Sequence, residues 1–486
     1  MDIQKIIEIC NPLHVSNKEV DGELTTFAID SREVREGSVF IAIRGTQVDG
    51  HMFLEDAMDR GARVIICEES FYTDKDVCVI EVENTQKLAG PLAQAFAGDP
   101  AENMAIIGIT GTNGKTTTAT LVYQVLSTCG RKASLLGTVH KRILDEELDS
   151  KLTTSDPIEL AADMKKMADA GSEYLVMEVS SHALHQHRTD GFDFKVAAFT
   201  NLSQDHLDYH ETLEEYASAK KLLFDGLPES SSAVINKDDP QAEFMLQECK
   251  AKTASLSFKN ESSHLLENSP KGISLVVEGQ RIESPLVGTF NAYNVGEAFL
   301  ICKELGLNPQ EIADALKEAK GAAGRMETIQ TDHENLPVVI VDYAHTPDAL
   351  SNVLSTLVAV KEDDQHLTVV FGAGGDRDAG KRPKMARAAA EFADKIIVTS
   401  DNPRTENPDL IITDILDGFE DLENVKSITD RKEAIEYAIS EAASKEIILI
   451  AGKGHEDYQE VNGKRHHFDD REIALDSLTQ KARGGN

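Results

Sequence analysis

Met104-Ala105-Ile106-Ile107-Gly108-Ile109-Thr110-Gly111-Thr112-Asn113-Gly114-Lys115-Thr116-Thr117 is the stretch on which the fold turns. Its first seven residues form a short, nearly unbroken apolar run, the pattern of a strand buried on both faces of a parallel sheet. Directly after it come two glycines, a lysine and threonines, and then a helical stretch over 117–129. Glycines at such a turn let backbone N–H groups approach phosphate oxygens, and the helix N-terminus adds positive partial charge. Lys115 can neutralise the distal phosphates, and Thr116 can ligate Mg²⁺. The strict P-loop spacing wants glycine at position 109, where Ile109 stands, so a shorter variant is implied, with Gly111, Thr112, Asn113, Gly114, Lys115, Thr116 and Thr117 facing a nucleotide.

Working outward from the loop, strand-like runs at 174–179, 196–201 and 232–236 alternate with helical stretches such as 213–224, which predicts a mostly parallel, helix-covered sheet. Upstream, short β-rich runs at 24–29, 38–43 and 62–67 and a helix at 53–60 predict a small α/β module ending near the turn-rich Ala97-Gly98-Asp99-Pro100. Downstream, 262–285 alternates as antiparallel β. A new strand series at 338–343, 366–371, 395–400 and 446–451, with helices at 383–392 and 431–444, predicts a doubly wound α/β unit. The fold class is therefore α/β, in three domains with boundaries near 1–100, 101–328 and 329–486, as the length of 486 residues also suggests.

Composition narrows the function. Forty-nine basic against 84 acidic residues give a net charge of −35, a field that repels phosphate backbones and excludes general nucleic-acid binding. The six cysteines contain no C-x-x-C pair and read as reduced thiols of a cytosolic protein. The start MDIQKIIEIC lacks the basic and apolar regions of a signal peptide, and no apolar run approaches a membrane span, so a cytoplasmic protein without membrane insertion is expected.

Two rival nucleotide readings fail on spacing. Asn236-Lys237-Asp238-Asp239 matches the N-K-x-D guanine reader, but between 117 and 235 no Asp has Gly three residues on, as a GTPase requires. Gly372-Ala373-Gly374-Gly375 follows a strand as a dinucleotide fingerprint does, yet Arg377 stands at the third glycine position. The basic cluster Arg377, Lys381 and Arg382 instead suits an anion. Glu178 is a carboxylate near the end of an apolar strand, costly there unless paired or metal-bound. The next strand ends in a polar cluster, Asn201 to Asp208, that includes His206, either a ligand or a loop histidine.

These motifs together resemble the Mur ligase family. The likeness rests on Asp30-Ser31-Arg32, the G-T-N-G-K-T loop, Met177 to His182, Asn201 to Asp208, Ala219-Lys220, Asn291-Ala292-Tyr293-Asn294, Gly324-Arg325-Met326-Glu327, Asp342 to Pro347, Gly374 to Pro383, Asp401-Asn402-Pro403-Arg404 and Gly452 to Glu456. The resemblance implies an ATP- and Mg²⁺-dependent amide ligase of peptidoglycan precursor synthesis. It would form an acyl phosphate on the D-Glu carboxylate of UDP-MurNAc-L-Ala-D-Glu and transfer it to the amine of meso-diaminopimelate. Lys115, Glu178, His206 and Lys220 are implied as catalytic, with Thr116, Glu178, His206 and a carbamylated Lys220 as metal ligands. Without the resemblance Lys220 would read as an ordinary helix-surface lysine. Ser31, Thr153, Thr154, Ser180, Gln186 and Arg188 are implied to hold the UDP-MurNAc-dipeptide, and Asn294, Arg325 and Asp342 the adenosine. Arg377, Asp401, Asn402, Pro403, Arg404, Gly452 and Glu456 are implied to bind diaminopimelate, the arginines facing its distal carboxylate and Glu456 its ammonium. Leu152 departs from the asparagine that the family often carries before the Thr-Thr pair. A monomer acting on small molecules is expected.

Overall fold

The computed structural model describes residues 1–17, 23–45, 48–69, 71–150, 152–259, 263–329, 331, 333 and 335–484, without the side chains of Leu207, Asp208 and Gly484. Ser262, where the antiparallel run was expected to begin, lies outside them. Two compact units emerge, Met1–Leu256 with Leu300–Leu307, and Ser257–Phe299 with Asn308–Asn486.

The first unit holds two sheets. The smaller has five strands in the order His14–Ser16, Cys78–Glu81, Ala62–Cys67, Ser38–Ile41 and Thr26–Ala28, all parallel but the first. The larger has eight strands, with Ala105–Thr110 at its centre between Val196–Phe199 and Tyr174–Glu178. Ile109 is in parallel register with Glu178 on one side and Ala198 on the other. Five of the six residues of Ala105–Thr110 are buried, as the unbroken apolar run predicts. Helices Gln86–Ala97 and Pro157–Asp169 bring the two sheets together, with Gln94 Nε2 donating to Met164 Sδ at 3.1 Å. Gly90 of the first helix lies against the segment after Ser181–His185, so close that a Cβ there would lie 1.9 Å from the Asp190 carbonyl oxygen.

The second unit holds a three-stranded antiparallel meander, Ser263–Ser269, Gly272–Val277 and Gln280–Ser284. It also holds a six-stranded sheet in the order Glu327–Thr328, Val338–Asp342, Ile447–Ala451, Leu367–Phe371, Lys395–Val398 and Val425–Ser427, parallel except at its first strand. Helices cover both faces. Leu350, Leu354, Met385 and Ile415 pack on one side, and Ile435, Ile439, Ala474 and Leu478 on the other. Each fully buried aliphatic side chain of this kind contributes about 1.5 to 3 kcal/mol over its exposed state. The expected strands and helices all form, within a few residues at their ends. The six cysteines are free, four of them buried. Among the described residues no helix is long and apolar enough to cross a membrane.

Candidate active site

In the first unit the chain leaves Ala105–Thr110, turns through Gly111 to Gly114, and enters the helix Lys115–Thr128. Gly111 (φ +147°) and Gly114 (φ +87°) adopt backbone that favours glycine, and a Cβ on Gly111 would fall 2.0 Å from Thr200 Oγ1. The loop is braced from the neighbouring strand end. Thr200 Oγ1 donates to the Asn113 carbonyl (2.6 Å), Asn113 N donates to Asn201 Oδ1 (3.0 Å), and Thr112 N donates to the Asn201 carbonyl (2.8 Å). The Asn201 cluster read from the sequence therefore supports the phosphate loop.

Two lysines converge on the Gly111 carbonyl. Lys115 Nζ donates to it at 2.9 Å and to the Thr112 carbonyl at 2.7 Å, while Lys220 Nζ donates to it at 2.8 Å. Lys220 is 1% exposed and lies 4.4 Å from the centre of the Tyr216 ring, which corrects the surface-lysine reading. Burial, with the positive charge of Lys115 as a lesser cause, pushes the Lys220 amine well below its ordinary pKa, against a small opposing pull from Asp205.

Glu178 is 1% exposed and fully engaged: it accepts from Thr116 Oγ1 (2.9 Å), Thr138 N (2.8 Å) and Thr138 Oγ1 (3.1 Å). Hydroxyls and an amide, not a lysine, satisfy this carboxylate. From it a hydrogen-bonded chain runs through the expected dipeptide residues. Thr154 Oγ1 donates to the Glu178 carbonyl and accepts from Ser180 N, Arg188 Nη1 donates to the Thr154 carbonyl, and Arg188 Nε and Nη2 donate to Gln186 Oε1. Thr153 joins through Thr138 Oγ1 (3.0 Å). Burial lowers the Arg188 guanidinium from its ordinary value. Leu152, beside this chain, is 49% exposed. Ser31 stands apart, opening a short 3₁₀ turn in the smaller sheet's layer behind the Asp30 cap.

Among the described residues no three His, Cys, Asp or Glu side chains, His206 included, converge on one point. His206 occupies the left-handed region (φ +52°) with its ring 4.9 Å from that of His182. His182, Tyr209, His210 and Tyr216 continue the ring cluster. Burial and the neighbouring histidines push His210, which is hydrogen-bonded to Ser181 Oγ at 2.9 Å, down to about 4.

In the second unit, the C-terminal ends of parallel strands lead into most of the other expected residues, while Asn294 lies on the helix Thr289–Glu304 and Arg325 just before the strand Glu327–Thr328. Asp342 is buried, which raises its carboxyl above the usual range, although it accepts from Met326 N (2.7 Å) and Ala344 N (2.8 Å). Arg325 stacks on Tyr343 at 5.0 Å, and its Nε is buried without a hydrogen-bond partner among the described residues. Asn294 donates to Asn291 Oδ1 (2.9 Å) within their own helix.

The expected diaminopimelate residues gather around Gly374. Arg404 (φ +51°) donates from Nη1 to the Gly375 carbonyl at 2.7 Å, with Nε 3.6 Å from Glu460. A Cβ on Gly374 would come 2.9 Å from that Nη1 and 3.9 Å from Arg377 Cγ. Pro403 follows Asn402, whose Nδ2 donates to Glu456 Oε2 at 2.8 Å. Gly452 (φ +122°) could not be another residue without meeting Asp401 Oδ2 at 2.5 Å. The expected anion cluster of Arg377, Lys381 and Arg382 does not survive intact. Arg382 is buried and bonded to Glu406 and Asp414, and Lys381 donates to the His345 carbonyl. Sequence reasoning missed two buried cations here, Lys453 and Arg431; the only signal for the first was its place between Gly452 and Gly454.

Family models of the Mur ligase catalytic domain, the Mur ligase middle domain and the Mur ligase glutamate ligase domain match residues 23–97, 109–302 and 324–454. The chain is 44% identical to the UDP-N-acetylmuramoyl-L-alanyl-D-glutamate--2,6-diaminopimelate ligase of Parabacteroides distasonis, over 93% of each chain. It is 42% identical to the protein of the same name from Phocaeicola vulgatus, over 98% of this chain and 99% of that one. A solved structure bearing that name superposes with a TM-score of 0.71 at 35% identity, covering 95% of this chain and 97% of the other.

Proposed function

The chain belongs to the Mur ligase family, and from that premise we propose that it joins meso-diaminopimelate to the D-Glu carboxylate of UDP-MurNAc-L-Ala-D-Glu, using ATP, in cytoplasmic peptidoglycan precursor synthesis. The observation that carries this reading is the pair Lys115 and Lys220 on one loop carbonyl, beside the Thr116–Glu178 contact. Both lysines are held by carbonyl oxygens, positions that phosphoryl oxygens can take over. The substrate carboxylate attacks the γ-phosphorus and ADP departs. The amine then attacks the acyl carbon, phosphate departs, and the amide loses a proton. Lys115 neutralises charge developing on the transferring phosphoryl group, a preorganised contribution worth several kcal/mol in such sites. Thr116, Glu178, His206 and a carbamylated Lys220 would hold Mg²⁺, which supplies further charge neutralisation when bound; the oxygen donors Thr116 and Glu178, 2.9 Å apart, suit that hard cation.

The burial of Lys220 supports its carbamylation. An amine whose charged form is disfavoured by burial can add, once neutral, to carbon dioxide, forming an N–C bond and releasing a proton, and the product is an anionic oxygen ligand. Thr153, Thr154, Ser180, Gln186 and Arg188, with Ser31, would hold the nucleotide-linked dipeptide. Gly111 to Thr117, with Asn294, Arg325 and Asp342, would hold ATP. Arg377 and Arg404 would meet the distal carboxylate of diaminopimelate and Glu456 its ammonium, with Asp401, Asn402, Pro403 and Gly452 shaping the pocket. We keep the functional division near residues 100 and 328, which the three separate family matches support, and propose a monomer. ADP release is the test: it should require both UDP-MurNAc-L-Ala-D-Glu and an amino acid, and release independent of the amino acid would refute the ligase reading.

A further inference from the structure

Asn402 and Glu456, two of the groups assigned to the amino-acid substrate, do not hold themselves in place. The Asn402 side chain is buried, and both ends of its amide are used. Oδ1 accepts from Lys453 Nζ (3.1 Å) and from Glu460 N (2.9 Å), and Nδ2 donates to Glu456 Oε2 (2.8 Å). Lys453 is 0% exposed, yet its Nζ also reaches Glu456 Oε2 at 3.3 Å and lies 5.4 Å from the centre of the Tyr458 ring. Lys453 Nζ and Glu460 N together fix which way the Asn402 amide faces, and the same ammonium ties down one oxygen of Glu456. Among the described residues Glu456 Oε1 takes no hydrogen bond from the protein, and the side chain is partly exposed. That leaves one carboxylate oxygen, in a fixed direction, for a substrate cation.

We propose that Lys453 is a positioning residue for amino-acid selection, acting through Asn402 and Glu456 without touching substrate. The inference rests on the reading that this pocket takes the amino acid. Its physical logic is preorganisation: a carboxylate held by two donors on one oxygen loses less freedom when it meets an ammonium than one free to rotate. A lysine kept out of water in this way is also costly unless its partners are fixed, so the three side chains behave as one unit.

The test is steady-state kinetics of Lys453→Met, which keeps the apolar stem and removes the ammonium. The KM for the amino acid should rise at least tenfold, with kcat and the KM values for ATP and the UDP-dipeptide within about threefold of wild type. Adding Glu456→Gln to Lys453→Met should cost much less than the two single losses multiplied together, because the second change acts on a group already released. Equal rises in all three KM values, or a fall in kcat alone, would assign Lys453 a merely structural role and overturn the proposal. So would fully multiplicative losses in the cycle. If Lys453→Met does not fold, Asn402→Leu breaks the same relay from its other end and should give the same selective rise in KM. The wild type is assayed first with meso-diaminopimelate and L-lysine. Use of L-lysine would overturn the substrate reading alone, and the Lys453 test then runs unchanged on the KM for L-lysine, whose ammonium Glu456 would still receive.

Discussion

Lys220 in the first unit and Arg431 in the second are both buried cations, and the protein treats them in opposite ways. Arg431 is wholly enclosed and forms a two-point ion pair with Asp470 (2.7 and 2.8 Å), while Nη2 also donates to the Ala451 carbonyl (3.0 Å). Desolvation is the largest single effect on Arg431, but the pull of Asp470, joined by Asp401 and Glu456, exceeds it and raises the guanidinium above its ordinary value. Lys220 has the Gly111 carbonyl and the Tyr216 ring, and among the described residues no ion pair. Desolvation then wins, and its amine is driven toward the neutral form. The difference separates scaffolding from chemistry. A buried cation with its own carboxylate fastens strand ends, whereas one left with a carbonyl is available to react or to meet an anion.

Breaking the scaffold member should give the largest effect. Asp470→Asn leaves the Arg431 charge buried without its counterion and should cost about 3 to 5 kcal/mol of stability, read as a shift in denaturant midpoint. A change below about 1 kcal/mol would mean that the pair is not the fastening argued here. Next comes Lys115→Ala, expected to lower kcat at least about 100-fold while the denaturation midpoint barely moves. Near-normal turnover with normal ATP dependence would remove Lys115 from the chemistry.

Lys220→Ala sharpens the contrast further. Activity should fall by tens-fold and recover in part when a short carboxylic acid is supplied, since a small carboxylate can occupy the vacated ligand position. Intact mass should show one added carbon dioxide on the active wild type and none on the variant. A fully active enzyme with unmodified Lys220 contradicts the assignment.

The smallest expected effect is a pH dependence. The unfolded chain protonates His210 near 6.5, and the folded chain only near 4. Between those values the unfolded state binds more protons, so stability falls as the pH drops from 6.5 toward 4. On lowering the pH from 7.5 to 5, this one group should cost about 2 kcal/mol, and His210→Gln should remove that share of the slope in chemical denaturation. Parallel slopes for the two proteins would show that His210 is not held neutral.

The two regions also differ in how far their sequences could be read. The phosphate loop is contiguous, so an apolar run, two glycines and a lysine announce both the strand-to-helix turn and its ligand class. Lys220 could not be placed in that way. Helix Leu213–Asp225 carries adjacent lysines; Tyr216 and Lys220, four residues apart, share one face of it, but only tertiary packing sets that face beneath the loop. The amino-acid pocket is harder still, because Asn402 and Lys453 stand 51 residues apart and meet only once their strands pair into one sheet. Two short strands near one edge of the larger sheet escaped for a simpler reason: Lys141–Ile143 and Glu146–Leu148 have three residues each, too few to display a period of two. Arg382 shows the converse error. Its place in a basic run suggested an anion site, but Glu406 and Asp414, from later in the chain, already neutralise it.

The central claim, that this chain ligates meso-diaminopimelate to the dipeptide carboxylate, is tested most directly by competition. With ATP, UDP-MurNAc-L-Ala-D-Glu and equal concentrations of meso-diaminopimelate and L-lysine, the masses of the nucleotide products are compared. A site that presents Arg377 and Arg404 to the distal carboxylate leaves both guanidinium groups unmatched when lysine binds, a penalty on the order of 3 to 5 kcal/mol. A product carrying diaminopimelate is expected in at least 100-fold excess; comparable amounts of the two products, or an excess of the lysine adduct, would contradict that specificity.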